Sequence, residues 1–344
     1  SNCNPFLSGW FLMLKSFINS LLLFTLAGTV SWECQALTLA EFAAANAPDN
    51  AEENAQAPAD EALFREREQF VMKINEAMMK EDREAIKHGA VTMFDYCLST
   101  KISFKKSSAR AMYATYEISQ ARGNQDFLDK RVLLRGTVAE VRNAAGKDPE
   151  LFFRAGDKTS PHAVRAVFAS PAADAAKIAA LKKDEDTALL CTGAGITDET
   201  PEAKDCEFID RYADDCEKTK LAAIAGIQQG NFKVNITDLG NWTLTYLIAA
   251  ESPAFMKECL KGSCETNQEL FESVFGSAYF PMVFKGVKPR LSPPEQKRIS
   301  AMKAAVWQYL IYKKIVDPAT GKLMVPDTEI PDLTLVNTYV KKTR

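Results

Sequence analysis

An α+β fold, in which a small five-stranded barrel is embedded between α-helical segments, is what this sequence predicts, and three observations carry that expectation. The stretch from Asp126 to Asp210 holds the legible strand pattern of the chain. Apolar residues at helical spacing mark the segments on either side of it. Within the stretch the elements run strand, strand, strand, helix, strand, strand, which is the order of an OB-fold, a five-stranded Greek-key barrel.

Lys130–Arg142 (KRVLLRGTVAEVR) reads as the first strand, with Val132, Leu134, Gly136 and Val138 on one side and Arg131, Leu133, Arg135 and Thr137 on the other. The phase slips after Ala139, since Val141 is apolar where Glu140 would be due. A bulge near Gly136 would account for the slip and bend the strand as a small barrel requires. Leu151–Ala155 and Ala163–Ala169 follow as short strands whose inward set is Leu151, Phe153, Val164, Ala166 and Phe168. Pro171 opens a helix with Ala175, Ile178, Ala179 and Leu181 at helical spacing, closed by the polar Lys182–Asp186 stretch. Thr187–Ile196 and Cys206–Ile209 supply the last two strands.

The helical lead into the first strand, SARAMYATYEISQARGNQDFLDKRVLLRGTVAEV from Ser108 to Val141, together with the short strands, the helix and Cys206, resembles the bacterial OB-fold family called tRNA_anti-like. That family occurs among exported proteins and lipoproteins. The resemblance spans about residues 108–210 and implies an OB-type barrel in an exported protein.

At the N-terminus, with Met13 as the start, residues 1–36 read as a signal peptide. Lys15 gives a positive n-region, Phe17–Val30 is apolar, and Cys34 and Ala36 are the small residues a signal peptidase reads. The uncharged run Ser16–Trp32 is 17 residues long, at the lower edge of a membrane span, so a retained anchor is the alternative. Glu33 stands before Cys34 and disfavours lipidation there. Residues 37–62 are expected to be a flexible linker, because Ala43–Ala62 has almost no large apolar residue to offset the cost of ordering.

Residues 63–125 are expected to be helical. Asp60 can cap a first helix carrying Leu63, Phe64, Phe70, Val71, Ile74 and Met78; a second runs from Asp82 to Leu98 and a third from Ser108 to Ala121. Met72, Met78, Met79 and Met93 read as core filler rather than as a metal-binding surface. Residues 126–210 form the OB-like domain, and residues 211–344 a helical C-terminal domain with a terminal strand. In that domain Cys216–Gln229, Asp238–Ala250, Pro253–Leu260 and Asn267–Phe275 read as helices, and Trp242, Tyr246, Phe255, Phe271, Phe275, Tyr279 and Phe280 supply a core. Pro281–Pro289 is a connector, Ser292–Glu295 (SPPE) a capping box, Asp317–Gly321 a turn and Leu333–Val340 a strand.

If Cys3 and Cys34 are removed with the signal, six cysteines remain for an oxidising compartment. Cys259 and Cys264 can close a local loop, Cys191 and Cys206 lie on the last two barrel strands, and Cys97 and Cys216 are left to join. Six cysteines allow fifteen pairings, so this set is a preference. Zinc is disfavoured, because there is no CxxC and the histidines His88 and His162 are isolated. No metal and no cofactor is expected.

Catalytic motifs are absent: no GxSxG, no Walker loop, no HExxH. Gly193-Ala194-Gly195 reads as a strand-end turn. A ligand face remains, since the strand phases project Arg131, Arg135, Phe152, Arg154 and Arg165 outward, around the strands where OB-folds take extended ligands. The competing view is that these arginines only solvate the face or pair with neighbours. From Asp126 to Asp210 there are 12 Lys and Arg against 16 Asp and Glu, a net charge of −4, and five Phe with no Tyr or Trp. Tight nucleic-acid binding is therefore not expected. The sequence reads as a non-enzymatic periplasmic protein whose OB-like module contacts another envelope protein, with the membrane met only through an uncleaved signal segment. The alternatives are binding of an anionic oligosaccharide or nucleic acid on the arginine face, and a carboxylate-dependent hydrolase of an envelope polymer.

Overall fold

The computed structural model describes residues 37–48, 61–90, 92, 94, 97, 104–142, 149–157, 161–262 and 264–330. The expected signal peptide, the Asp60 cap and the Leu333–Val340 strand lie outside them. In chain order the described elements are β1 (Leu37–Thr38), α1 (Leu39–Asn46), α2 (Glu61–Lys87), β2 (Lys105–Ser108), α3 (Ala109–Ile118), α4 (Gln120–Phe127), β3 (Arg131–Arg142), β4 (Glu150–Arg154), β5 (Ala163–Phe168), α5 (Pro171–Ala180), β6 (Asp186–Thr197), β7 (Thr200–Phe208), α6 (Asp210–Gln228), α7 (Ile236–Glu251), α8 (Pro253–Lys261), α9 (Gln268–Phe275), α10 (Tyr279–Lys285), α11 (Pro293–Tyr312) and β8 (Glu329–Ile330).

These elements form two compact units. Among the described residues one comprises 81–216 and the other 37–80 together with 217–330. α2 and α6 are continuous helices, and each contributes to both units.

In the first unit β3 pairs with β4, β4 with β5 and β6 with β7, all antiparallel, while β5 and β7 are parallel. Antiparallel pairing of β3 with β6 closes the ring, giving the α+β fold with its five-stranded OB-type barrel. β2 adds a parallel strand beside Val132–Arg135. The long β3 serves two neighbours: its first half pairs with β6 and its second with β4. The bend between them is a bulge at Ala139, since Val138 faces Phe153 and Glu140 faces Phe152. That corrects the expected position near Gly136. Gly136 serves packing instead, for a Cβ there would lie 3.0 Å from the Phe153 ring and 3.1 Å from the Cβ of Ala109.

Alternation along the strands fills the barrel. Val132, Leu134, Val138, Leu151, Phe153, Val164, Ala166 and Phe168 share one buried cluster with Met112 and Tyr116 of α3 and Phe127 of α4. Ile178 is the residue of α5 buried in that cluster, and Leu181 packs beside it; Ala175 and Ala179 are exposed. Leu133, on the outward side of β3, is nevertheless buried. The expected single helix from Ser108 to Ala121 is two, because Ser119 adopts an extended conformation and its hydroxyl caps α4 through the Arg122 N–H.

Cys191 and Cys206 are disulfide-bonded within the buried cluster, joining β6 to β7. Cys97 is bonded to Cys216, and Cys259 to Cys264. Among the described residues no cysteine is free.

The helical unit corrects several expectations. Residues 37–62 are not linker throughout: Thr38 and Glu41 form a reciprocal capping box that starts α1, and Leu39, Phe42 and Ala43 are buried. β1 pairs with β8. No second helix starts at Asp82, since α2 runs unbroken through that residue and stops only before Gly89, whose φ is 85°. α6 begins at Asp210, ahead of Cys216. The connector Pro281–Pro289 begins as helix α10 and loses regular structure only from Gly286. α7 is buried from Asp238 to Ala249, and its centre is a ring cluster: Trp242 stacks on Tyr246 at 5.1 Å, and Tyr309 of α11 lies 4.8 and 4.9 Å from them. Such contacts contribute about 0.5–1.5 kcal/mol each beyond area burial. Among the described residues no helix is long and apolar enough to cross a membrane.

Candidate functional site

Strand register brings some of the predicted ligand face together and separates the rest. Reading across the sheet, Glu140 of β3 faces Phe152 of β4, Phe152 faces Arg165 of β5, and Arg165 faces Glu202 of β7. Arg142 faces Glu150 in the adjacent row. Phe152, Arg154 and Arg165 therefore share one surface. Arg131 and Arg135 lie on the first half of β3, which pairs with β6 and β2, and do not join them.

Each cation of the shared surface is answered by a carboxylate. Arg165 places one guanidinium nitrogen 3.1 Å from Glu150 Oε1 and another 2.9 Å from Glu202 Oε1. Arg154 pairs with Asp184. Arg142 donates to Glu140 at 2.9 Å while its guanidinium lies 4.2 Å over the Phe152 ring. The hydrogen bond from Arg142 holds the Glu140 carboxyl below its ordinary range, and the same bond raises Arg142. The surface is a ladder of compensated charge with an aromatic ring under one cation.

The other two arginines anchor neighbouring segments. Arg131 reaches Thr192 Oγ1 and the Tyr212 hydroxyl at 3.4 Å each, and Glu207 at 3.7 Å. Arg135 lies against the turn after α2, where a Cβ on Gly89 would stand 2.3 Å from its guanidinium carbon. Beside that turn His88 pairs with Asp186 at 3.1 Å, and Thr137 donates to the same carboxylate at 2.7 Å. His162 is 2.5 Å from the Tyr113 hydroxyl. No group of residues that could hold a metal occurs among those described.

In the helical unit a hollow of about 550 Å³ opens along α2, lined in part by Glu68, Met72, Glu76 and Gln228. Glu68 is committed to the Tyr309 hydroxyl at 2.8 Å and the Lys313 ammonium at 2.6 Å. Glu76 is eight residues along the same helix, about 12 Å of axial rise.

The carboxylate partners of these arginines were not legible in the sequence. Glu150 is brought to Arg165 by the antiparallel β4–β5 pairing and Glu202 by the parallel β5–β7 pairing, and the second has no local signal in the chain. Asp184, with φ 68°, sits in the left-handed region of the α5–β6 turn.

The model of the tRNA_anti-like family matches residues 10–207. No curated protein matches the chain. Among solved structures, the chain is similar to a lipoprotein from Klebsiella pneumoniae subsp. pneumoniae MGH 78578 whose name carries a conjectured nucleic-acid-binding role. The two are 13% identical, with 32% of this chain and 92% of that chain covered and a TM-score of 0.25.

Proposed function

This chain belongs to the tRNA_anti-like family, and on that premise we propose that its OB-fold module is a non-enzymatic protein-binding surface of an exported envelope protein. The observation that carries the reading is the compensated ladder on β4 and β5. A polyanion gains affinity from unpaired cations that displace its counterions, and here Arg142, Arg154 and Arg165 already have carboxylate partners. A protein partner is recognised differently, by aromatic and Arg anchors inside a polar rim of complementary charge. Phe152 beneath Arg142 and the flanking Arg165 fit that description. Three disulfides suit an oxidising compartment.

Photo-crosslinking from position 152 in the native envelope is expected to capture a discrete protein partner, and Arg165→Glu to abolish that product while the barrel stays folded by circular dichroism. Titration of labelled single-stranded DNA and RNA at ~0.15 M salt is expected to give no sub-micromolar binding. Tight binding that is lost on Arg142→Ala and Arg154→Ala would replace the protein partner with a nucleic acid.

A further inference from the structure

The sequence from Lys285 to Lys303 holds six Lys and Arg and one acidic residue, Glu295, a net charge of +5 in a chain whose total is −3. The structure turns much of that excess outward. Gly286 ends α10 in the left-handed region at φ 61°, and a Cβ there would meet nothing within 4 Å. From Gly286 to Ser292 the chain has no regular structure, and Lys285, Lys288, Pro289, Arg290 and Lys297 are exposed.

Carboxylates quench this patch only in part. Glu295 is turned back onto Ser292, accepting from its N–H at 2.9 Å and from its hydroxyl. Arg298 is taken by Glu251 at 2.7 Å. Among the described residues no carboxylate is paired with Lys288, Arg290 or Lys297. Half-buried Met282, Phe284, Val287 and Leu291 alternate with the cations, and the Val287 N–H donates to Pro281 O at 3.0 Å, folding the loop against the end of α10.

We propose that the Lys285–Lys297 segment docks on an anionic phospholipid surface. Each Lys or Arg near such a surface is worth roughly fivefold in binding, and apolar residues among the cations add contact at headgroup depth. Attraction between exposed charges fades within about 8 Å at physiological salt, so the cations that count are the exposed ones, Lys288, Arg290 and Lys297. A single-stranded nucleic acid needs stacking rings beside its cations, whereas the exposed positions between Lys285 and Arg290 offer Gly286 and Pro289. The membrane contact would then not be confined to the N-terminal segment.

The test is co-sedimentation of the exported protein, with the N-terminus it carries after export, and vesicles of phosphatidylcholine alone or with roughly a third phosphatidylglycerol. Binding is expected to the anionic vesicles only, to weaken as salt rises, and to fall at least about thirtyfold in the double variant Lys288→Glu/Arg290→Glu. Circular dichroism of the variant checks that the fold is retained. Equal binding to both vesicle types, no binding to anionic vesicles, or undiminished binding by the double variant would overturn the proposal. So would displacement by a single-stranded oligonucleotide at matched phosphate, which would assign the patch to nucleic acid.

Discussion

A methyl group at position 193 would sit 2.1 Å from the carbonyl oxygen of Phe127 and 2.7 Å from its carbonyl carbon. Both obstacles are backbone, held where Asp129 N–H donates to Gly193 O at 2.9 Å and Gly193 N–H to Lys130 O at 3.0 Å. Gly193→Ala must therefore displace α4 from β6. It is expected to lower the unfolding free energy by about 2 kcal/mol or more, read from urea titration. Gly226 is the opposite case, a helical glycine whose added Cβ would meet nothing closer than 3.8 Å. Gly226→Ala is expected to stabilise by up to ~1 kcal/mol. The sequence read Gly193-Ala194-Gly195 as a strand-end turn; the chain there is strand β6, and the reason for Gly193 is the close approach of a backbone that enters from sixty-odd residues upstream.

At the scale of elements, the inward set Leu151, Phe153, Val164, Ala166 and Phe168 was legible because one-sided burial imposes a period of two on any strand. The bulge was legible as a phase slip, and only its residue was misassigned. Residues 37–46 were not read as structured because their apolar set is short and runs into an alanine-rich tract; the Thr38–Glu41 spacing was the signal for α1. Disulfides can be ranked at this scale too. Cys191–Cys206 closes a sequence separation of 15 and Cys97–Cys216 one of 119. Chain entropy assigns them about 3 and nearly 5 kcal/mol. Single Cys97→Ser and Cys191→Ser variants, melted beside the reduced wild type, are expected to fall in that order, with the longer loop the costlier loss.

Across the whole molecule, alkali is expected to act on the helical unit through its buried phenols. Burial pushes Tyr246 up to about 12 from an ordinary 10, and raises Tyr279 and Tyr309 as well. A raised folded-state value means that the neutral form is favoured in the fold, so this contribution is intact below pH 10 and is lost as pH climbs through 10 toward 12 and beyond. Stability should fall over that window, with the tyrosinate absorbance of these residues rising together with the loss of helicity. Tyr246→Phe should make the fall shallower. Independent titration of the three phenols in a still-helical protein would contradict the assignment.

The division of the chain has a further consequence for its birth. Residues 81–216, a stretch of 136, separate the two parts of the helical unit. During synthesis at roughly 5–20 residues per second, the barrel has its full complement of strands before the partners of α2 have been made. Phe64 waits for Tyr309 and Tyr312, and Phe70 waits for Phe255. For that interval the buried apolar side of α2 is without those ring partners, and its ordering depends on the last third of the chain.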